Sequence, residues 1–498
     1  MSIFASLDAA PNDPIFHLTD LFNQDTDPRK VNLGVGVYQD DNGRVPLLKS
    51  VEKVQKQMAD DPDPWTYLPM RGWEPFNEAA QELVFGADSE PVASGRVATI
   101  QSLSGTGALL LGADLYRHQI DSDAPMIASD PTWANHHSLF RYAGYRTGSY
   151  RYYDADAQDI DVEGMFADIR AAEPGTVVLL HACCHNPTGY DLGPEHWGPL
   201  AELLAERGLM PFIDLAYEGF SRGLVEDAGM VRAFAAAGLS FFVASSFSKN
   251  MAMYGGRTGA IHAVCADADE AARVKSQLAR TVRSLYSNAP FQGATIAATI
   301  LTDPDLRAGW EEEVTTMRTR ITDMRAALLA ALPQFYGFAL SFGLLCLLWM
   351  AHHARLSALK RIDAGLLGWN CAMLFFAALT PLPTSMLFGR SYGSPVPPVF
   401  YALAMSCTWL CLNGMWRHAW RAGLMAHDVS ARTYRGALLS TLPTTAVFLV
   451  SVPFAFIPGF ASWTPLLWVL ALPVNVVVER LVGAGRGSRI PEAGADDG

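Results

Sequence analysis

SSFSKNMAMYGGRTG, residues 245–259, is the stretch on which the fold turns. Its lysine, Lys249, follows the apolar run FFVASS (Phe241–Ser246) by three residues, and an arginine, Arg257, comes eight residues later. An amine placed just after a buried strand stands at the C-terminal edge of a sheet, where α/β folds hold their ligands. Upstream, LMPFID (Leu209–Asp214) reads as another strand and ends on a carboxylate, with Tyr217 three residues on. Further upstream, RVATI (Arg96–Ile100) precedes SGTGA (Ser104–Ala108), which opens a helical run and offers backbone N–H groups to an anion. TVVLLH (Thr176–His181) and GAIHAV (Gly259–Val264) complete the strand candidates, with helical runs at Ala108–His118 and Trp197–Arg207 between them. Continuous rather than alternating apolar strands predict a mostly parallel sheet covered on both faces.

Composition divides the 498 residues into two chemistries. Before Phe335 there are 44 acidic and 26 basic residues; from Phe335 onward, 6 and 11. The acidic front excludes a nucleic-acid partner, which needs a basic face. Seven cysteines show neither C-x-x-C nor Cys/His spacing, so no disulfide framework and no metal centre is expected. The N-terminus has no basic and apolar leader pattern.

A strand-end amine, an acid, a hydroxyl and an anion cradle are the parts that pyridoxal phosphate (PLP) requires. The amine forms the covalent link, the acid keeps the ring nitrogen protonated, and a guanidinium or backbone nest takes the phosphate. Together with KVNLGVGVY, YLPMRG, SDPTWANH, HACCHNPTG and TVRSLYSN, these motifs resemble the fold type I aspartate and aromatic-amino-acid aminotransferases over residues 1–333. The resemblance implies Lys249 as the Schiff-base lysine and general base, Asp214 at the ring nitrogen, and Tyr217 and Asn186 at the phenolic oxygen. It implies Trp133 stacked on the ring, His136 and His181 behind Asp214, and Ser104, Gly105, Thr106, Ser246 and Arg257 on the phosphate. It places Tyr67 on the phosphate of a neighbouring subunit in a homodimer, Gly36 at the substrate carboxylate, and Arg283 on a distal carboxylate across the dimer. Cis peptides at Asp130-Pro131 and Asn186-Pro187 are implied too. The substrates implied are aromatic or acidic L-amino acids with 2-oxoglutarate.

In that family the chain returns after its long helix with a Ser-Gly-Arg motif whose arginine grips the substrate α-carboxylate. Here the long helix (Asp305–Leu332) is followed by apolar runs beginning near Phe335. Loss of that charged contact is expected to cost on the order of 3–5 kcal/mol. FGRS around Arg390 reads instead as a membrane-flanking charge.

Five runs of bilayer-spanning length, the first at Phe335 and the last starting at Trp463, predict a multi-pass membrane domain over residues 334–483, with a disordered tail at 484–498. The pattern W-x-x-HH…R…L-x-W-N…P-x-P-T resembles the transmembrane protein 175 potassium channel family without its first helix, which implies potassium ions as a further partner. His352 and His353 read as a solvated interfacial pair, and Asn370 as a helix–helix hydrogen bonder. Basic residues gather in Arg355–Arg361, in Arg417–Arg435 and beyond Arg480, which assigns those loops to the cytoplasmic side. Five spans then put the end at Phe335 outside, whereas the enzyme domain is expected inside, a mismatch that the missing first helix would produce.

Overall fold

The computed structural model describes residues 14–27, 36–62, 66–387, 394–426, 429–457 and 464–468, with the single positions 4, 29, 30, 64 and 460. Its compact units are Met1–Thr322 and Asp323–Gly498.

Among the described residues, the main sheet of the first unit has seven strands: β1 (Val97–Leu103), β2 (Met126–Asp130), β3 (Thr147–Arg151), β4 (Val177–His181), β5 (Met210–Leu215), β6 (Phe241–Ser246) and β7 (Thr258–Val264). They lie in the order β1-β7-β6-β5-β4-β2-β3. Only β7 is antiparallel to its neighbours, β1 and β6; the remaining pairs are parallel. The mostly parallel reading of the sequence therefore holds, with β7 as the exception. β2 and β3 are additions to the strand candidates, and TGSYR in β3 carries too little apolar character to announce itself.

Continuous apolar strands follow from burial on both sides. Ile213 and Val243 pack into one core with Leu200 and Leu204 of helix Trp197–Arg207. Their neighbours Phe212 and Phe242 pack into the opposite core with Leu109 and Leu111 of helix Ser104–Leu115. That helix lies tight on the sheet: a Cβ on Gly112 would stand 2.6 Å from the Phe212 ring. A third core joins helices Lys49–Asp60, Glu74–Phe85 and Phe291–Thr302 to Trp310, Val314 and Met317.

This topology gathers chain ends at one sheet edge. Ser104 follows β1, Trp133 follows β2, His181 ends β4, Asp214 lies one residue from the end of β5, and Lys249 follows β6. Because β7 runs the other way, Arg257, just before it, arrives at the same edge.

Helix Pro304–Ser357 is continuous through Pro333, where the sequence reading had a long helix give way to a separate apolar run. Within the second unit, helix Val396–Arg421 is central, burying Tyr401, Met405, Leu412 and Trp416 against Phe448 and Trp468. Tyr401 and Trp468 stack with centroids 4.6 Å apart. Among the described residues, four helices are long and apolar enough to cross a membrane: Pro304–Ser357, Ala364–Leu387, Val396–Arg421 and Ala431–Phe454. Most of the expected fifth run lies outside the described residues, as do Arg390 and the tail.

Two sequence expectations are corrected here. His352 is not solvated: it is buried, and its Nε2 lies 2.7 Å from Asn370 Oδ1 on the next helix, while His353 is exposed. Arg355 is not a loop charge. It lies inside the helix at 2% exposure and donates to Asn413 and Thr441. Both corrections have one cause: helical winding turns these polar side chains inward, and the sequence does not reveal the partners that receive them.

Candidate active site

Asp214 is the anchor. Pairing of β4 with β5 sets His181 directly beside it. His136, on helix Asn135–Tyr142, brings Nε2 to 3.0 Å from Asp214 Oδ2, while its Nδ1 lies 2.8 Å from Thr132 Oγ1. Burial alone would push the Asp214 carboxyl up; the hydrogen bond from His136 and the charges of His136, His181 and Lys249 outweigh it and hold the carboxyl below its ordinary value. Its second oxygen, Oδ1, is buried and makes no hydrogen bond, as are both ring nitrogens of His181. A buried carboxylate oxygen with no donor is costly. The site thus presents an acceptor to whatever occupies it.

The histidines form a column. The His136 and His181 centroids are 5.1 Å apart and those of His181 and His185 4.3 Å, and His185 stacks on Tyr152 at 4.1 Å. Burial and the neighbouring histidines hold His181 well below its usual range, and burial takes His185 down to about 4. His136, His181 and Asp214 each offer a ligand atom within 4.8 Å of one another. His136 is already committed to Asp214, so the cluster reads as a carboxylate support.

Lys249 is half-buried, with its ammonium 4.8 Å from the Tyr217 ring centroid. Burial and the nearby Arg257 lower its pKa against the opposing pull of Asp214. Tyr217 is pushed up to about 12 by burial and by Asp214. Gly36 lies against it: a Cβ there would meet the Tyr217 hydroxyl at 3.0 Å.

At the start of helix Ser104–Leu115, three hydroxyls converge. Ser104 Oγ lies 3.0 Å from Ser246 Oγ and 2.9 Å from Ser248 Oγ, all buried. Ser104 adopts a left-handed backbone (φ 62°) and Arg257 another (φ 49°), conformations disfavoured for side-chain-bearing residues and concentrated at functional sites. Gly105 and Thr106 supply the next N–H groups of this helix. The Arg257 guanidinium is exposed and donates to the Tyr254 carbonyl at 3.1 Å. Hydroxyls, helix N-terminus and guanidinium together make an anion cradle.

A model of the family described as aminotransferase class I and II matches residues 28–347. The chain belongs to this family. Aspartate aminotransferase of Pseudomonas aeruginosa is 47% identical over 332 residues, 67% of this chain and 83% of that protein. Aspartate aminotransferase of Escherichia coli is 44% identical over 323 residues, 65% of this chain and 81% of that protein. Among solved structures, the aromatic-amino-acid aminotransferase of Burkholderia pseudomallei covalently bound to pyridoxal phosphate is 46% identical. It covers 68% of this chain and 84% of that one, with a TM-score of 0.66.

For a class I and II aminotransferase domain, the residues named from sequence fall into two groups. Ser104, Gly105, Thr106, Trp133, His136, His181, Asp214, Tyr217, Ser246, Lys249 and Arg257 gather at the strand-end edge, with Asn186 on the loop after β4 and Gly36 against Tyr217. Both Asp130-Pro131 and Asn186-Pro187 are cis. Tyr67 and Arg283 stand apart from this set: Tyr67 is 89% exposed, and Arg283 is exposed and donates to Ser287 Oγ at 2.7 Å. Residues that sequence reasoning missed are Ser248, which completes the hydroxyl triplet, Thr132, which holds His136, and His185. Ser248 adjoins Lys249 in the motif itself and could have been found there. The pairing of Thr132 with His136 is visible only in three dimensions.

Proposed function

We propose that the first unit transfers the amino group of an aromatic or acidic L-amino acid to 2-oxoglutarate with PLP as cofactor, and that the second unit embeds the enzyme in a membrane. One observation carries the enzymatic reading: the amine of Lys249, the unpartnered Oδ1 of Asp214 and the Ser104–Ser246–Ser248 hydroxyls face one edge at positions that suit a single flat, phosphorylated ring. Orphaned acceptor, half-buried amine and anion cradle are the three features PLP needs, so the residues fit the group.

Bound PLP supplies an electron sink that acidifies the substrate Cα–H bond. Asp214 holds a proton on the ring nitrogen, and His136 keeps its carboxylate ionised and oriented. Lys249, with its amine pKa lowered by burial, carries the Cα proton. Tyr217 and Asn186 donate toward the ring's phenolic oxygen, and Trp133 covers one ring face. Ser104, Gly105, Thr106, Ser246 and Arg257 hold the phosphate. Gly36 leaves room where the substrate carboxylate comes to the backbone. Tyr67 and Arg283, exposed in one chain, act on the partner's site in a homodimer, with Arg283 reading a distal carboxylate. The segment after the long helix has no counterpart of the Ser-Gly-Arg motif, so substrate grip is weakened more than cofactor binding.

Borohydride reduction of the PLP-saturated full chain, followed by peptide mapping, tests the site. The expected result is one PLP group, on Lys249. A Lys249→Ala chain that still fixed PLP at a single lysine would overturn the assignment, and absorbance changes on adding aspartate or tyrosine test the substrate class.

The membrane reading is supported by the four long apolar helices and by Phe338, Phe342, Trp349, Phe375 and Val450, which the protein leaves uncovered. It predicts carbonate-resistant membrane association with the enzyme unit on the cytoplasmic side. The likeness to a potassium channel family is tested by potassium flux from proteoliposomes. No flux is expected, because the sequence lacks that family's pore-lining first helix.

A further inference from the structure

The second unit holds a buried cation with no counter-charge among the described residues. Arg355 is 2% exposed, and among the described residues no carboxylate pairs with it; Asp363, in the loop that follows, is engaged by His418 at 2.9 and 3.0 Å. Its Nη2 donates to Asn413 Oδ1 at 3.3 Å, to Thr441 Oγ1 at 3.1 Å and to the Ala437 carbonyl. Its guanidinium carbon lies 5.9 Å from the Trp416 ring centroid. Nη1 has no partner.

The unmatched buried side-chain atoms of this unit share one polarity. Among the described residues of this unit, the buried side-chain atoms without a hydrogen bond are Arg355 Nη1, Asn413 Nδ2 and Trp409 Nε1. All three are donors, and Trp409 and Asn413 are one turn apart on one face of helix Val396–Arg421. The orientation of the Asn413 amide is fixed, since its oxygen accepts from both Arg355 and Thr441 Oγ1, the latter at 2.8 Å. A water would accept from such donors but would bring two donors of its own, and among the described residues of this unit no buried side-chain acceptor is left unmatched to receive them. What satisfies the cluster is an oxygen that only accepts, carrying the negative charge that Arg355 requires.

The location indicates where that charge comes from. Arg355 lies two residues from the end of its helix and is followed by Lys360 and Arg361. Arg417 and Arg421 end helix Val396–Arg421, and Arg432 and Arg435 open helix Ala431–Leu439. At a helical rise of about 1.5 Å per residue, Asn413 is about 12 Å below Arg421. A buried donor cluster under a basic rim between apolar helices suits a phosphate headgroup held at the bilayer surface.

We propose that Arg355, Asn413 and Trp409 form a binding site for the phosphate of an anionic phospholipid. This rests on the membrane reading above, and the test separates the two. The full chain is reconstituted in phosphatidylcholine with and without phosphatidylglycerol; retained lipid is counted by native mass spectrometry and melting is followed in parallel. Wild-type chain is expected to retain phosphatidylglycerol over phosphatidylcholine and to melt several degrees higher with it. Arg355→Gln should abolish both differences. Asn413→Asp, which gives Arg355 a carboxylate of its own, should fold and melt normally in phosphatidylcholine yet lose the phosphatidylglycerol preference. Inorganic phosphate at millimolar concentration, added in phosphatidylcholine, distinguishes a free anion from a lipid: a shift there equal to that of phosphatidylglycerol overturns the lipid assignment. Equal retention of the two lipids, or a preference surviving both substitutions, overturns the site. Failure of the chain to enter phosphatidylcholine membranes at all would instead remove the membrane reading on which it stands.

Discussion

His136 Nε2 and Asp214 Oδ2 meet at 3.0 Å inside the first unit, with the histidine fully buried and the carboxylate nearly so. The contact decides the charge state of the acid on which the cofactor chemistry depends. Without a donor, burial would drive Asp214 toward its neutral form, which cannot keep a ring nitrogen protonated.

His136→Leu should therefore cost both stability and activity, with a distinctive pH signature. The folded Asp214 carboxyl is held below its unfolded value, so its ionisation stabilises the fold above a pH of about 4 and ceases to do so as pH falls through the lower folded value. Removing the histidine strands a buried carboxyl, a loss of about 3–5 kcal/mol near pH 7. Chemical denaturation at pH 7 and pH 3.5 should show that difference shrinking in acid. An unchanged gap at both pH values would show that Asp214 is not what His136 stabilises.

Glu218 should behave in the opposite sense. It is buried and its Oε1 has no partner; burial first, then the nearby Asp227, push its carboxyl up to about 8 against Arg232 and Arg307. The folded pKa is raised, so the unfolded chain releases its proton first as pH climbs past about 4, and the fold loses stability until about pH 8. Glu218→Gln, a neutral isostere, should flatten that slope and stabilise the protein at pH 8 by up to about 4 kcal/mol. Denaturation midpoints measured from pH 5 to pH 8.5 check it. Parallel curves for the two proteins would disprove it.

Gly259→Ala probes the phosphate cradle through backbone packing. A Cβ at this position would stand 2.5 Å from the Ser245 carbonyl oxygen and 2.7 Å from the Ser104 carbonyl carbon, and neither is a side chain that can swing aside. Overpacking of this kind costs about 1–3 kcal/mol, and here it displaces the start of helix Ser104–Leu115. PLP affinity, read by equilibrium dialysis, should fall about ten-fold or more. Gly198→Ala, in helix Trp197–Arg207, whose added carbon meets nothing within 4 Å, controls for the loss of a glycine.

Much of the enzymatic unit was legible in the sequence because its signals are local. FFVASS is β6 residue for residue, and Lys249, Asp214 and SGTGA announce themselves by position after apolar runs. What escaped was lateral. β3 offers almost no apolar run, the reversal of β7 is a property of pairing, and Thr132 supports His136 only because the chain turns between them. In the second unit, composition gave length and polarity but not direction. His352 and Arg355 look like interfacial charge in one dimension and turn out to be buried, because only the helical winding decides which way a polar side chain faces.

Cofactor binding and substrate turnover should separate in this chain. The strand-end edge carries the groups assigned to the ring and phosphate, whereas the arginine that would grip the substrate α-carboxylate belongs to a segment whose place is taken by apolar helices. Loss of a charged contact worth about 3–5 kcal/mol corresponds to a rate lower by roughly 10²–10³-fold or more. PLP affinity of the full chain is thus expected to be close to that of the Pseudomonas aeruginosa relative, while its single-turnover half-reaction with aspartate or tyrosine falls by that factor. Rapid-mixing absorbance on both proteins, each loaded with PLP, makes the comparison. A half-reaction within ten-fold of the relative would mean that another cation has taken over the α-carboxylate, and Arg257 and Arg283 are the first to substitute in search of it.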